Sequence, residues 1–353
     1  MNNPSSDQNS LMVKLCDAWR QAVLDSKIIN QFEAIQDDFS GRWHKGDRII
    51  YGIEYTDQQF VYYAYNLSQK IEIKATIEQK TIPKTGYFCT LNGYRALRPG
   101  DSHRSVGRQP NIDASPAACR FHCQDPTHPL SLLKREPLLS VQLKHFTWHA
   151  YYNAVPLQPK GHFLWIPAAS SAQALPHWTQ QLTPALIEDA VALFTQLSDT
   201  ILYFNALHAG ASVNHIHFQS VSAYAHTLPV ESASTNHYRG YQLLTDCLIE
   251  PAVFTVEQSS QLIDYIEVLK QQKIPFNLAM LSDRILVISK SGDHEIVSEL
   301  SNNGMAALEV CGALTVVDRA TFDLLDEARL KQALQKMVVP ASQIIDTIKA
   351  PIN

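Results

Sequence analysis

Apolar residues first recur at helical spacing in LMVKLCDAWRQAVLDSKI, where Leu11, Leu15, Trp19 and Val23 share one face and predict an amphipathic helix behind a polar, frayed terminus. From about Arg48 to Thr81 the pattern shortens to β-rich runs, RIIYGIEY and FVYYAYNL, which read as antiparallel strands. Between Gly93 and Pro129 neither period survives, and the stretch is rich in Pro, Arg, Ser and Asp; a connection that long inside a compact chain is usually functional or mobile. Strand signals resume at LLSVQLKHFTWHAYYNAV and GHFLWIPA. Thr183 then offers an N-cap, Pro184 the first helical position, and Leu186, Ile187, Ala190, Val191, Phe194 and Leu197 an apolar face. A strand ILYFN, a small-residue turn LHAGAS and a strand VNHIHFQSVSAY follow. The last third alternates again: strand YQLLTD, a helix from about Val256 to Gln272, strands NLAMLSD and RILVISK, and a helix after Leu325.

This succession predicts an α+β fold built on antiparallel sheet with flanking helices. A faint echo sets Asn153 and the strand FLWIP against Asn277 and the strand ILVIS, which suggests two similar halves. The expected division is an N-terminal helix and β-rich addition over 1–80, a first half over 81–235, and a second half with the C-terminal helix over 236–353.

Composition narrows the function classes. With 353 residues and 45% hydrophobic content the chain can bury a substantial core. The formal net charge is -5 and no lysine and arginine block stands out, so nucleic acid is not the expected partner. No apolar run reaches the roughly 18 to 20 residues of a membrane span. The polar start MNNPSSDQNS does not read as a signal peptide, which places the expected site of action in the cytoplasm. The six cysteines are scattered, as expected of reduced thiols.

Chemistry concentrates in Asn205-Ala-Leu-His-Ala-Gly210-Ala-Ser212-Val-Asn214-His215-Ile-His217-Phe-Gln219. On a strand, His215, His217 and Gln219 share one face while Ile216 and Phe218 take the other. The turn before them is short and poor in side chains, so its N–H groups could approach an anion closely. A phosphate cradle beside a histidine pair suits in-line attack of imidazole on phosphorus, with a phosphoramidate intermediate. His217 is the expected attacker, its other ring nitrogen donating to a fixed backbone carbonyl. Taken alone, a His-x-His could equally be a metal site or two satisfied polar residues.

With its flanks, the segment resembles the transferase and phosphorylase branch of the histidine triad (HIT-like) superfamily, in which His-x-His-x-Gln replaces the hydrolases' His-x-His-x-His. It is most similar to nucleoside diphosphate hexose phosphorylases acting on GDP-glucose or GDP-galactose, whose signature reads much like NALHAGASVNHIHFQ followed by TLPVE; here that continuation is His226 to Glu231. Asn153 to Pro167 resembles the superfamily's upstream strand-turn-strand, and Thr90 to Gly100 a basic loop of the hexose phosphorylases. The resemblance implies two HIT-like halves, the first carrying the motif and the second degenerate. It implies His217 as nucleophile, His215 as its hydrogen-bonding support and Gln219 as the group on the phosphoryl oxygens. It places Gly210 and Ser212 in the phosphate-contacting turn, with Asn153 and Asn205 near the nucleoside. Asn214, Lys160 and Arg98 complete the expected substrate-binding set. The loop over 93–129 follows the family only loosely.

A glutamine amide donates to a phosphoryl oxygen but delivers no proton at neutral pH, so the leaving group should depart as a stable anion such as a sugar phosphate or nucleotide. The expected activity is nucleotidyl transfer from a nucleotide or nucleotide sugar to inorganic phosphate, without cofactor or metal. The alternatives are a dinucleoside polyphosphate phosphorylase and a nucleotide-binding regulator without turnover. Cys119-x3-Cys123 with His122 and His128 invites a zinc reading, but the spacing is not the usual Cys-x2-Cys, and loop cysteines are the expectation. Arg95, Arg98, Arg104 and Arg108 could clamp phosphate. His162 is expected to pack or to support the site rather than react.

Overall fold

The computed structural model describes residues 10–25, 31–35, 44, 46–57, 59–74, 77–93, 95, 115–116, 119–125, 127, 131–153, 156–158, 161–168, 177–301 and 304–348. Arg98, Arg104, Arg108, His128 and Lys160 lie outside the described residues.

Helix α1 (Leu11–Leu24) starts where the Ser10 hydroxyl accepts from the Val13 N–H, and it buries Met12, Leu15, Trp19 and Val23. It packs against a four-stranded antiparallel meander, β1 (Gln31–Ile35), β2 (Arg48–Thr56), β3 (Gln59–Asn66) and β4 (Ile71–Lys74). The Trp19 indole stacks on Phe60 at 3.9 Å and lies 5.1 Å from Tyr152, which pins this addition to the body of the protein. Next come β5 (Ile77–Thr81) and β6 (Phe88–Asn92), which form a small sheet with β17 (Ala313–Val316) from the far end of the chain. The β6–β17 pair is parallel, the one departure from the antiparallel pattern among the described pairings. The division expected at residue 80 falls inside β5.

The body is a ten-stranded antiparallel sheet. Its first arm comprises β7 (Leu139–Gln142), β8 (Thr147–Tyr152), β9 (His162–Ala168), then helix α2 (Pro184–Phe194), β10 (Thr200–Asn205) and β11 (Phe218–Ser222). The short helix α3 (Pro229–Ser232) leads to the second arm: β12 (Thr235–Tyr238), β13 (Tyr241–Leu244), β14 (Ala252–Phe254), helix α4 (Ser259–Gln271), β15 (Phe276–Leu281) and β16 (Arg284–Ser289). Across the sheet the order is β12-β13-β14-β16-β15-β10-β11-β9-β8-β7. Counted outward from the central β10–β15 pair, both arms follow one order: the strand after the helix, its hairpin partner, then the three strands before the helix in reverse. Asn277 sits on β15 in register with Asn205 on β10, so it does not answer Asn153 as the sequence echo suggests.

One face of the sheet carries Phe163, Trp165, Phe204, Phe218, Leu278 and Val287 into a core closed by α1, α2, α4 and α8 (Ala341–Thr347). The other carries Tyr203, Val221, Ala279 and Leu286 against α5 (Ala307–Cys311), α6 (Arg319–Leu324) and α7 (Glu327–Met337). Helix α2 begins as the sequence predicts, with the Thr183 hydroxyl accepting from Leu186 N–H and Pro184 at the first position. Its Asp189 is also fully buried, where it accepts from the His145 and Phe146 N–H groups and the Trp148 indole. Among the described residues no helix is long and apolar enough to cross a membrane. All six cysteines are free thiols.

Candidate functional site

The strand β11 begins only at Phe218, so the two histidines precede it in extended chain that is held by other means. His215 makes an isolated antiparallel bridge with Thr179. The next anchor is Gln180, whose side-chain carbonyl accepts from His217 N–H at 2.9 Å while its amide donates to the His217 carbonyl at 3.1 Å and to the Asn205 carbonyl at 3.0 Å. A buried side-chain amide thus replaces the missing strand partner and fixes the backbone of His217. Nothing in the local sequence around Gln180 signals this role, because its partners lie 25 and 37 residues away.

His217 is buried, and its Nδ1–H donates to the carbonyl of His215 at 2.8 Å. That bond leaves the lone pair on Nε2. Burial lowers the imidazole pKa to about 4, so the ring is neutral and nucleophilic at physiological pH. The support that His215 gives is therefore its main-chain carbonyl; its side chain turns elsewhere. Phe121 meets both rings edge-on, 5.8 Å from His215 and 5.4 Å from His217.

Gln219 follows on the same face, and its orientation is fixed by two residues. Its side-chain carbonyl accepts from the Tyr203 hydroxyl at 3.1 Å and from His162 Nε2 at 2.9 Å. The His162 tautomer is set by the Leu157 N–H, which donates to Nδ1 at 3.0 Å and leaves the proton on Nε2. With Oε1 claimed, the NH2 of Gln219 is the end that remains to donate, the polarity a phosphoryl oxygen requires. Asn153 closes the group, its amide 3.2 Å from His162 Nε2 and its backbone N–H donating to the His162 carbonyl. The support role expected of His162 takes a specific form here, whereas Tyr203 was not singled out by any sequence motif. Of the four loop arginines, Arg95 is described; its charge is near enough to help hold His162 neutral.

His162 supplies a pH-dependent contribution with a definite sign. Burial lowers its pKa to about 3 from the unfolded value near 6.5. The unfolded chain therefore binds the proton first, and stability that is full above about pH 6.5 falls as the pH drops toward the folded pKa, by about 1.4 kcal/mol per pH unit for one such group. Urea unfolding at pH 7, 6 and 5 should show the His162→Gln variant losing stability less steeply than the wild type by about that slope. Parallel pH dependence in the two proteins would mean that His162 is protonated without penalty in the fold.

The small-residue turn corrects an expectation. The N–H groups of Ala209 and Ala211 donate to the Ala206 carbonyl, and that of Gly210 donates to the buried Glu295 carboxylate at 3.1 Å. These three N–H groups of the turn are taken up by partners within the chain. Gly210 has φ +98, and a Cβ there would lie 2.8 Å from Cα and Cβ of Ala306. Gly210→Val should therefore destabilise the protein by about 3 kcal/mol or more through strain and overlap. A variant of wild-type stability with weakened nucleotide binding would return the phosphate site to this turn.

Asn205 is likewise committed to structure. Its buried side-chain carbonyl accepts from Asn277 at 2.8 Å and from the Ala307 N–H at 2.9 Å. Asn214 donates to the Ser115 carbonyl at 2.7 Å, tying the motif to the loop. Ser212 is exposed.

Cys119 and Cys123 lie in a loop, as expected, but not an exposed one. Both are buried, and with His177 and His215 they place four potential ligand atoms within 4.8 Å of one another. His122, the co-ligand suggested by sequence proximity, is not in this quartet.

No protein-family profile matches the sequence, and no curated protein matches it at a significant level. Solved structures do match. The yeast Ap4A phosphorylase Apa2 in complex with Ap4A superposes with a TM-score of 0.52 at 15% identity, covering 75% of this chain and 90% of that one. The same enzyme without the ligand gives 0.51 at 15% identity with the same coverage. Its complex with AMP gives 0.50 at 14% identity, covering 75% and 89%. This chain shares the α+β fold of these structures.

Proposed function

We propose that the protein is a nucleotidyl phosphorylase with His217 as the nucleophile. The observation that carries this reading is the His217 ring itself: buried and neutral, its Nδ1–H held by the carbonyl two residues back, with a fixed glutamine amide beside it. In the first step Nε2 attacks the α-phosphorus of a nucleotide, an N–P bond forms, and the P–O bond to the leaving phosphate chain breaks with its electron pair on the departing oxygen. The imidazolium so formed keeps its Nδ1–H on the His215 carbonyl, and the Gln219 NH2 donates to a phosphoryl oxygen. In the second step an oxygen of inorganic phosphate attacks the same phosphorus, the N–P bond breaks, and a nucleoside diphosphate leaves with His217 again neutral. Gln219 cannot deprotonate water, whereas phosphate arrives as an anion.

The shared fold with an enzyme described as an Ap4A phosphorylase favours a dinucleoside polyphosphate as substrate, with a nucleoside triphosphate as the first leaving group. A nucleoside diphosphate hexose is the second reading, supported by the likeness of residues 205–219 to the hexose phosphorylase signature. The equal strand order of the two sheet arms supports a fold of two HIT-like halves, of which only the first carries the histidines. Incubation with Ap4A or a GDP-hexose, with and without phosphate, tests the proposal. Phosphate-dependent formation of nucleoside diphosphate is expected, and the productive substrate selects between the two readings. Nucleoside monophosphate released at equal rates with and without phosphate would make the protein a hydrolase instead, and binding of both substrates without turnover would make it a regulator.

A further inference from the structure

Helix α1 and the β2–β3 hairpin meet the body of the protein along a cleft of about 620 Å³, inside the range of roughly 300 to 1,000 Å³ that small-molecule sites occupy. Two aromatic pairs line it. The N-terminal addition brings Tyr55 and Phe60, whose ring centroids are 5.0 Å apart, with Phe60 itself stacked on Trp19. The body brings Phe88 from β6 and Tyr224 from the segment after β11, edge-on to each other at 5.1 Å. Ile77, at the start of β5, leaves 40% of its surface exposed at the same cleft.

Two glutamines give the cleft a polar edge of one kind. Gln79 donates its amide to the Thr90 hydroxyl at 3.3 Å, and Gln158 donates its amide to the Ser222 carbonyl at 2.6 Å. Both side-chain carbonyls are left to accept, with no donor among the described residues. An occupant with a flat π-face and an amine on its edge answers both features, since it stacks on the aromatic walls and donates to the carbonyls. A hexose, with hydroxyls around its ring, matches such walls less well. The cleft also leads to the reacting groups. Along β11, Ser222 lies about 10 Å beyond Gln219. Leu157 lines the cleft and gives its N–H to His162, while the Asn92 amide holds the Pro156 and Leu157 carbonyls and its own carbonyl accepts from the Arg95 N–H. The charge of Arg95 reaches His162 and Tyr203, and Tyr203 interacts in turn with the Tyr224 phenol. A guanidinium thus lies beside the groups that hold Gln219, and Tyr224 joins those groups to the cleft, which makes a route for a departing phosphate chain.

We propose that the cleft between the N-terminal addition and the body binds the distal nucleoside of the leaving nucleotide, with its amine-bearing base against Tyr55 and Phe60 and its phosphates running past Tyr224 toward Arg95. The addition of α1 and β1–β4 is then a specificity device: it supplies the wall that tells a leaving nucleoside triphosphate from a leaving sugar phosphate. Its assignment to the leaving half rests on the phosphorylase reading, whereas the presence of a nucleoside site in the cleft does not, since binding is read without turnover.

Photolabelling of the full-length wild type with 8-azido-ATP, in saturating AMP so that the subsite beside His217 is filled, should mark peptides from α1, from β2–β3 or from residues 223–226. Ala225→Trp, which projects a large side chain into the cleft from an exposed position, should abolish that label, leave AMP affinity within about twofold and raise KM for Ap4A about tenfold or more. In calorimetry Tyr55→Ala should weaken ATP binding about tenfold and leave the binding of inorganic tripolyphosphate, which has no nucleoside, unchanged. Should either variant fail to fold, the wild-type label decides. Label that AMP displaces, label confined to peptides around Asn153 and His217, or an unchanged KM for Ap4A in Ala225→Trp would overturn the cleft assignment, as would equal affinity of the wild type for ATP and tripolyphosphate. Label in the cleft without turnover of any substrate would keep the nucleoside site and overturn the phosphorylase reading alone.

Discussion

Replacing His217 by alanine should reduce turnover by four or more orders of magnitude, an effect on the order of that seen when a covalent nucleophile is removed. The protein should nevertheless fold. The His217 backbone keeps both bonds to Gln180, and the buried ring makes one internal hydrogen bond, so truncation costs about 1–3 kcal/mol for a vacated site and an unpaired His215 carbonyl. A nucleotide labelled at the α-phosphorus should yield an acid-labile, base-stable adduct on the wild type and none on the variant. Equal labelling of both proteins would move the nucleophile elsewhere. The nearest imidazole hydrogen-bonded to Gln219, His162, could not take over readily, since its Nε2 proton is committed to that glutamine and to the Tyr203 oxygen nearby.

The largest expected effect on stability comes from Asp189→Ala. The carboxylate accepts from His145 N–H at 3.0 Å, Phe146 N–H at 2.9 Å and Trp148 Nε1–H at 3.0 Å, and it is fully buried inside α2. Losing it strands three donors, each worth about 1–3 kcal/mol when unsatisfied, for a total of about 4 kcal/mol after partial relaxation. Trp148 also lies edge-on to Phe218 at 5.7 Å, so the loosened β7–β8 turn should disturb the strand that follows His217. Asp189→Asn should recover little, because an amide presents a donor where the site supplies donors. A urea midpoint within the error of the wild type for the alanine variant would show that these N–H groups find water.

How much of this was legible in the sequence depends on the range of the interactions. The cap at Thr183 and the apolar face of α2 are local, and both appear as predicted. The polarity of His217 also follows locally, since a carbonyl two residues back is within reach of its ring in extended chain. The residues that orient the site were not legible. Gln180, Tyr203 and His177 are joined to it by contacts across the fold, and no period or spacing marks them. The Cys-x3-Cys pair is visible in the sequence, but the histidines beside it are not: His122 is close along the chain, while the fold brings in His177 and His215, 54 and 96 positions away. Gly210 misled for the opposite reason: a glycine turn that can cradle an anion can equally admit a close backbone neighbour, and here Ala306 and Glu295 occupy that space.

The seam at the centre of the ten-stranded sheet bears on how the chain comes off the ribosome. β10 has β11 on one side, but its other edge is satisfied only by β15, which begins roughly 70 residues later and so emerges some 4 to 14 seconds afterwards at typical synthesis rates. Until then the nascent first arm presents the open, apolar edge of ILYFN, an invitation to pair with a neighbouring chain. Fragments ending near residue 235 should accordingly be recovered as aggregates, and the full chain should depend on chaperones during that interval more than its finished fold would suggest.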